Sequence, residues 1–267
     1  MLIPLLGLAG EAGTLASEYK KQLRDGPANV RFADHVGEEL GDLLWYLANV
    51  ADKMGLSLED VAKANLVNIA DRWHEQLNAP TFFDGSFPES EQLPRQFAVD
   101  FSYSGATTAT KVVVSRNGLP VGNPLSDNAF EEDGYRFHDI YHFTFAALLA
   151  WSPVTRRNLG CKRRSDPRVD EIEDGGRGWV IEEGIALLSF VYAGEHGYFA
   201  ETERVDQALL NTIRALTRTV EVRIRSAREW ERAVVVASQL WKKLRDHDGG
   251  SIQCSLSDRR VSYAPPG

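Results

Sequence analysis

Residues 38–55 read EELGDLLWYLANVADKMG, and how this stretch folds decides the architecture of the chain's first part. Val36, Leu40, Leu43, Leu44, Leu47, Val50, Ala51 and Met54 recur at steps of three and four, which predicts an amphipathic helix with one buried apolar stripe. At about 100° per residue the stripe centres on the Leu40, Leu44, Leu47 line, and Glu39 falls roughly 80° from it, with Asp42 one turn on along the same flank. Carboxylates placed where a helix meets its neighbours lose hydration, a cost that a bound cation offsets. An isolated Glu-x-x-Asp is otherwise an ordinary solvated flank.

The preceding stretch, LLGLAGEAGTLASEYKKQLRDG at 5–26, has the same layout. Leu5, Leu8, Ala12, Leu15, Tyr19 and Leu23 form its apolar stripe, and Glu11 lies roughly 70° to one side, sharing that side with Thr14 and Glu18. Asp25-Gly26-Pro27 stops this helix, and the short loop that follows predicts antiparallel packing against the next one. That packing brings Glu11, Glu39 and Asp42 toward one point between the helices. Oxygen-only ligands from helix flanks suit a hard cation such as Mg²⁺, which keeps several waters and recruits phosphate oxygens.

Together with LEDVAKANLVNIADRW at 58–73, these two stretches resemble the MazG-like nucleoside triphosphate pyrophosphohydrolases of the all-α NTP pyrophosphatase superfamily. The mark of that family is Glu-x-x-Glu followed by Glu-x-x-Asp, and the resemblance covers residues 5–73. It implies Mg²⁺-dependent cleavage of an NTP between its α- and β-phosphates, with Mn²⁺ as the alternative metal. Carried over by position, Glu11 is the first acid of the first motif, and Glu39 and Asp42 form the second. The other acid of the first motif is replaced by Thr14, which offers only a neutral oxygen. Glu18 is two turns from Glu11, about 10 Å along the axis, and does not simply substitute.

The third helix opens on Ser57, with Asp60 three residues later in the manner of a capping box, and sets Asn65, Asn68 and Arg72 along one polar line. Asn65 matches a recurrent family Asn. With Lys21 and Arg72 it is expected to face the nucleotide, reading base or ribose and meeting the phosphates. Glu38 is a candidate to orient or activate water, although it lies further round its helix.

Composition agrees with a globular chain: 267 residues, 43% hydrophobic and 25% charged. A net charge of -8 gives no electrostatic footprint for a nucleic-acid duplex. No apolar run approaches membrane-spanning length, and MLIPLLGLAG has no basic leader region, so a cytoplasmic protein is expected. Cys161 and Cys254 are too far apart in sequence to suggest a disulfide framework or a cysteine zinc site.

The fold expected is mainly α: a MazG-like helical domain over 1–77, a linker and small β-hairpin or meander over 78–134, a second helical domain over 135–247, and a β-like tail over 248–267. The linker reading rests on the Pro, Gly, Ser and acids of 78–95, and the strand readings on FAVDFSYS and TKVVVSRNGLPVGNPL. Helices are expected near 135–151, 167–194, 203–221 and 226–247. The second helical domain is open to being a degenerate copy of the first.

That half carries its own constellation. His138 and His142 sit at i, i+4 with Asp139 beside them, a spacing that binds metals, and Glu171, Asp174 and the pair Glu182-Glu183 follow downstream. A His on an apolar helix face is more often a hydrogen-bonded core residue. His138-Asp139 also resembles, superficially, the doublet of HD-type metal phosphohydrolases, a fold that needs another upstream His and a distant Asp.

The function expected is metal-assisted hydrolysis of (d)NTP to (d)NMP and pyrophosphate, with Glu11, Glu39 and Asp42 holding the metal. A nucleotide sensor without turnover, another phosphohydrolase built on His138-Asp139, and a purely structural module are the alternatives. A helical hairpin leaves an apolar face uncovered, so a homodimer and extensive packing of 1–77 against 135–247 are also expected.

Overall fold

In the computed structural model, which describes residues 2–73, 81–104 and 111–266, the chain divides into two units, residues 1–70 and 71–267. The first is helical. Helix α1 (Leu2–Asp25) stops at the predicted point, where Gly26 takes a left-handed φ of 56° and opens a 3₁₀ turn, and α2 (Phe32–Lys53) runs back along it. Gly7 sets the closeness of this approach, because a Cβ there would run into the Tyr46 ring. Helix α3 (Leu58–Trp73) follows, its first turn capped as expected: the Asp60 N–H donates to Ser57 Oγ at 3.3 Å.

Which faces meet differs from the expectation. On α1 the less exposed side chains include Pro4, Leu8, Glu11, Leu15, Glu18 and Gln22, spaced at three and four along one side. On α2 they include His35, Val36, Glu39, Leu43, Tyr46 and Val50. Half of the predicted stripe looks outward, Leu40, Leu44 and Leu47 being 46%, 62% and 41% exposed, while its members Val36, Leu43, Val50 and Ala51 are turned inward. A helix with one close neighbour covers about one side. Helix α2 carries apolar residues on two, so the Leu40 line is left over and the acids enter the seam. Helix α3 is exposed throughout Leu58–Val67.

The second unit wraps helices around an antiparallel sheet in the order β3-β2-β1-β4-β5. Its strands are β1 (Gln96–Tyr103), β2 (Val112–Arg116), β3 (Leu119–Pro120), β4 (Gly250–Ser255) and β5 (Arg260–Ala264). Phe97, Val99 and Phe101 alternate inward along β1, as the sequence pattern requires. The tail is not a separate element, since Val99 pairs with Ile252 and Phe97 with Cys254 across β1 and β4. Against this sheet lies α4 (Asp139–Leu149), all of whose residues are buried. The remaining helices are α5 (Pro153–Asn158), α6 (Pro167–Ile172), α7 (Gly176–Glu195), α8 (Gln207–Thr217) and α9 (Ala227–Asp246). The expected helix over 167–194 is thus broken near Asp174-Gly175. Helix α9 begins in a full capping box of Ser226 and Glu229.

Residues 78–80 of the expected linker, and 74–77 of the expected first domain, lie outside the described residues. From Thr81 onward the linker is packed structure. Asp84 is 1% exposed and accepts from Leu93 N at 2.8 Å, from Arg95 at 2.8 Å and from Arg156 at 2.7 Å. Burial pushes its carboxyl up, and those bonds and the Arg156 charge more than reverse this, leaving it below its ordinary value. Among the described residues no helix is long and apolar enough to cross a membrane.

Candidate functional site

The seam of the first unit is lined with acids. Glu11 and Glu39 are each partly buried, Glu18 is 6% exposed, and Asp42 stands open at the edge. Burial pushes the Glu39 carboxyl up from its ordinary value, and Glu11, by its charge and its hydrogen-bonding approach, pushes it further, with the charges of Asp42 and Glu18 behind it. Glu39 Oε2 is buried and has no hydrogen-bond partner. Glu18 differs. Lys21 Nζ lies 2.5 Å from its Oε1 and His35 Nδ1 lies 3.4 Å from its Oε2, and the Lys21 bond first of all holds its carboxyl below the usual range. Glu18 Oε2 nonetheless makes no hydrogen bond, and buried side-chain atoms of Gln22 and Asn29 are also without partners among the described residues.

The structure therefore brings Glu11 and Glu39 together, places Asp42 and Glu18 within their field, and ties Lys21 to Glu18. Thr14 is exposed, its hydroxyl donating back to Gly10 O at 3.3 Å. Glu38 and Asn65 are exposed, and the side chain of Asn68 lies outside the described residues. Arg72 belongs to the second unit, where it donates to Gln207 Oε1 and to Val205 O, both at 2.6 Å, and lies 3.6 Å from Glu231. His35 was not singled out by sequence, although its place four residues before Glu39 on one helix face was a readable signal.

A hard divalent cation suits this donor set. The oxygens are carboxylate, two of them, Glu18 Oε2 and Glu39 Oε2, are buried without a hydrogen-bond partner, and Lys21 and His35 compensate only the Glu18 end. Mg²⁺ is held through one or two carboxylates with waters and phosphate oxygens completing its shell, so a closed protein cage is not required.

In the second unit His138, Asp139 and His142 converge, with Glu182 and Glu183 from α7 against His142. Burial alone would push the His142 imidazole down, but Glu182 and Glu183 raise it to about 10. Burial raises the Glu183 carboxyl, and His142 outweighs this, lowering it to about 2. Asp174 does not join that cluster. It is buried under Arg163, and Glu171 is exposed.

Two families match this chain. The MazG nucleotide pyrophosphohydrolase domain matches residues 4–75 and the MazG C-terminal domain matches residues 78–267. The chain belongs to the MazG family. The Gene 37 protein of Mycobacterium phage L5 is 39% identical over 69 residues, which are 25% of this chain and 60% of that protein. The chain thus spans less than two thirds of that relative's length. No solved structure matches. The nucleotide pyrophosphohydrolase match coincides with the acid-lined hairpin and α3, while the MazG C-terminal match takes in the sheet and its helices.

Proposed function

We propose that this MazG protein is a divalent-metal-dependent pyrophosphohydrolase that cleaves a nucleoside or deoxynucleoside triphosphate to the monophosphate and pyrophosphate. The observation that carries the reading is the seam carboxylate Glu39: buried at one oxygen, unpartnered there, and crowded by Glu11, Asp42 and Glu18. Such crowding is unfavourable in a resting protein and is relieved by a bound cation.

Glu11, Glu39 and Asp42 would hold Mg²⁺, or Mn²⁺ in its place. Bound there, the metal would neutralise phosphate oxygens and lower the pKa of an attacking water. Asp42 is exposed and so open to a metal-bound phosphate chain. Lys21 keeps ammonium donors beyond the one on Glu18 and can meet phosphate oxygens without leaving that partner. Asn65 is exposed on α3 and is the candidate to read the nucleoside, and Glu38 is the candidate to orient water. Arg72 is committed to Gln207 and Val205, so it is left out of the nucleotide set.

A panel of NTPs and dNTPs assayed for pyrophosphate and orthophosphate tests this directly. Pyrophosphate release that needs Mg²⁺ or Mn²⁺ and stops in EDTA is expected, and orthophosphate as the sole product would overturn the reading. A second reading, nucleotide binding without turnover, is favoured by Thr14, which turns its hydroxyl back to its own helix instead of supplying the family's acid. Calorimetric binding of NTP with no product after hours would establish it.

The exposed line Leu40, Leu44 and Leu47 and the exposed apolar residues Leu58, Val61 and Leu66 of α3 form surface that costs free energy in water. A second copy of the chain is proposed to cover it, giving a homodimer. Sedimentation of the full chain at micromolar concentration is expected to show twice the chain mass, and Leu44→Glu to shift it to one.

A further inference from the structure

The MazG C-terminal unit holds a second constellation, in which two imidazoles and three carboxylates from the start of α4 and from α7 are brought together largely out of water. His138 Nδ1 lies 2.8 Å from Tyr135 O, and since a carbonyl only accepts, Nδ1 carries the proton. When the ring is neutral, the lone pair of Nε2 faces Asp139 Oδ1 at 3.5 Å. Two acceptors face each other in a nearly buried place. His142, one turn on, is fully enclosed, and neither of its ring nitrogens makes a hydrogen bond of good geometry. Its Nδ1 is 3.0 Å from Glu182 Oε1, and its Nε2 is 3.5 Å from Glu183 Oε2.

Glu182 is itself fixed, accepting from Ser152 Oγ at 2.5 Å and from Val154 N at 2.8 Å at the start of α5. This is how a protein presents imidazoles to a metal: the outer nitrogen is oriented by a carbonyl or an anchored carboxylate, and the inner one is left bare. Among the described residues, His138, Asp139 and His142 are the one set of three whose ligand atoms all fall within 4.8 Å of one another. The 3.5 Å separations match the edge of a tetrahedron with metal–ligand bonds of about 2.1 Å, which is about 3.4 Å. His138, Asp139 and Glu183 also line a cleft of about 320 Å³, with Asn123, Arg157 and Asn158 on its walls, so a cation would be open to entry from solvent.

We propose that His138, Asp139 and His142, with Glu183 as a fourth ligand, form a site for a first-row transition cation of the Zn²⁺ class. Two imidazoles select such an ion over Mg²⁺, whose preference is for oxygen. The site is distinct from the carboxylate seam of the first unit and different in chemistry.

Co²⁺ is the probe, added to the full chain carrying Glu39→Gln and Asp42→Asn so that the seam cannot hold metal. Equilibrium dialysis with metal analysis is expected to give one equivalent of Co²⁺ at micromolar concentration, with the visible absorption of nitrogen-ligated Co²⁺, and millimolar Mg²⁺ is expected not to displace it. Adding His138→Gln should weaken binding by more than the roughly 10- to 100-fold that loss of an outer partner costs. Circular dichroism reports whether that variant folds. If it does not, Asp139→Asn, an isosteric change, takes its place with the same expectation. No Co²⁺ retained at micromolar concentration, or retention unaffected by His138→Gln or Asp139→Asn in a folded chain, overturns the assignment.

Discussion

Replacing Glu39 by Gln is expected to cut pyrophosphate release by on the order of 100-fold or more while raising the melting temperature of the protein in EDTA. The two effects have one origin. In the metal-free seam Glu39 loses hydration and faces the charges of Glu11, Asp42 and Glu18, and its Oε2 has no donor. Gln is nearly the same size, carries no charge and brings an amide donor for those neighbouring oxygens, so the apo protein gains. For the reaction the same change removes an anionic ligand from the proposed metal site. Destabilised carboxylates at a site are the usual exchange of stability for function. Steady-state kinetics with pyrophosphate detection and a melting curve in EDTA check both halves. If Glu39→Gln instead lowers the EDTA melting temperature, the carboxylate is stabilised by contacts other than a metal.

Much of the first unit was legible because its information is local. The Glu39–Asp42 step on α2, the Asp25-Gly26-Pro27 stop and the Ser57 cap are each set by residues within one turn of each other. Which faces meet was legible only in part: Leu8, Leu15, Leu43 and Val50 are on the inner sides as read, and the Leu40 line is not. Periodicity says that Leu40, Leu44 and Leu47 share a side, but a helix apolar on two sides does not say which one its neighbour takes. The acids were therefore read at the edge of the packing face when Glu11, Glu18 and Glu39 are in the seam itself.

In the second unit the strands were readable from alternation, yet their assembly was not. Pairing of β1 with β4 joins Phe97 to Cys254 across most of the chain, and no local pattern encodes a partner that distant. Asp84 shows the same limit. Its neighbours Pro80, Gly85, Ser86 and Pro88 have linker composition, and the residue that makes it structural, Arg156, is far along the sequence. The spacing of His138 and His142 was legible, whereas the anchoring of Glu182 by α5 required the fold.

Arg163→Met is expected to destabilise the MazG C-terminal unit by about 3–5 kcal/mol, the cost of leaving buried charge without its partner. Arg163 and Asp174 are 1% and 3% exposed. The guanidinium donates to Asp174 Oδ1 at 2.6 Å through Nη2 and to Oδ2 at 3.0 Å through Nε, to Glu221 Oε1 at 2.7 Å, and to Phe83 O at 3.1 Å. Met fills a similar volume, so little of the loss comes from a cavity. What remains is a carboxylate pair without its shared cation: Asp174, near Arg156 at 3.6 Å, and Glu221, whose carboxyl burial already pushes above its ordinary value despite Arg163. Arg163→Lys should recover only part of the loss, because one ammonium cannot bridge both carboxylates in the planar, two-pronged manner of Arg. Urea unfolding followed by fluorescence of the buried Trp151, Trp230 and Trp241 reads this unit, and a cost below about 1 kcal/mol for Met would mean that water or Arg156 replaces the lost bonds. Since Arg156 links Asp174 to Asp84 through a 2.7 Å bond, the same substitution should also loosen residues 81–95, seen as earlier amide exchange there. The proposed pyrophosphate release, assigned to carboxylates of the first unit, should follow only the fraction of folded protein.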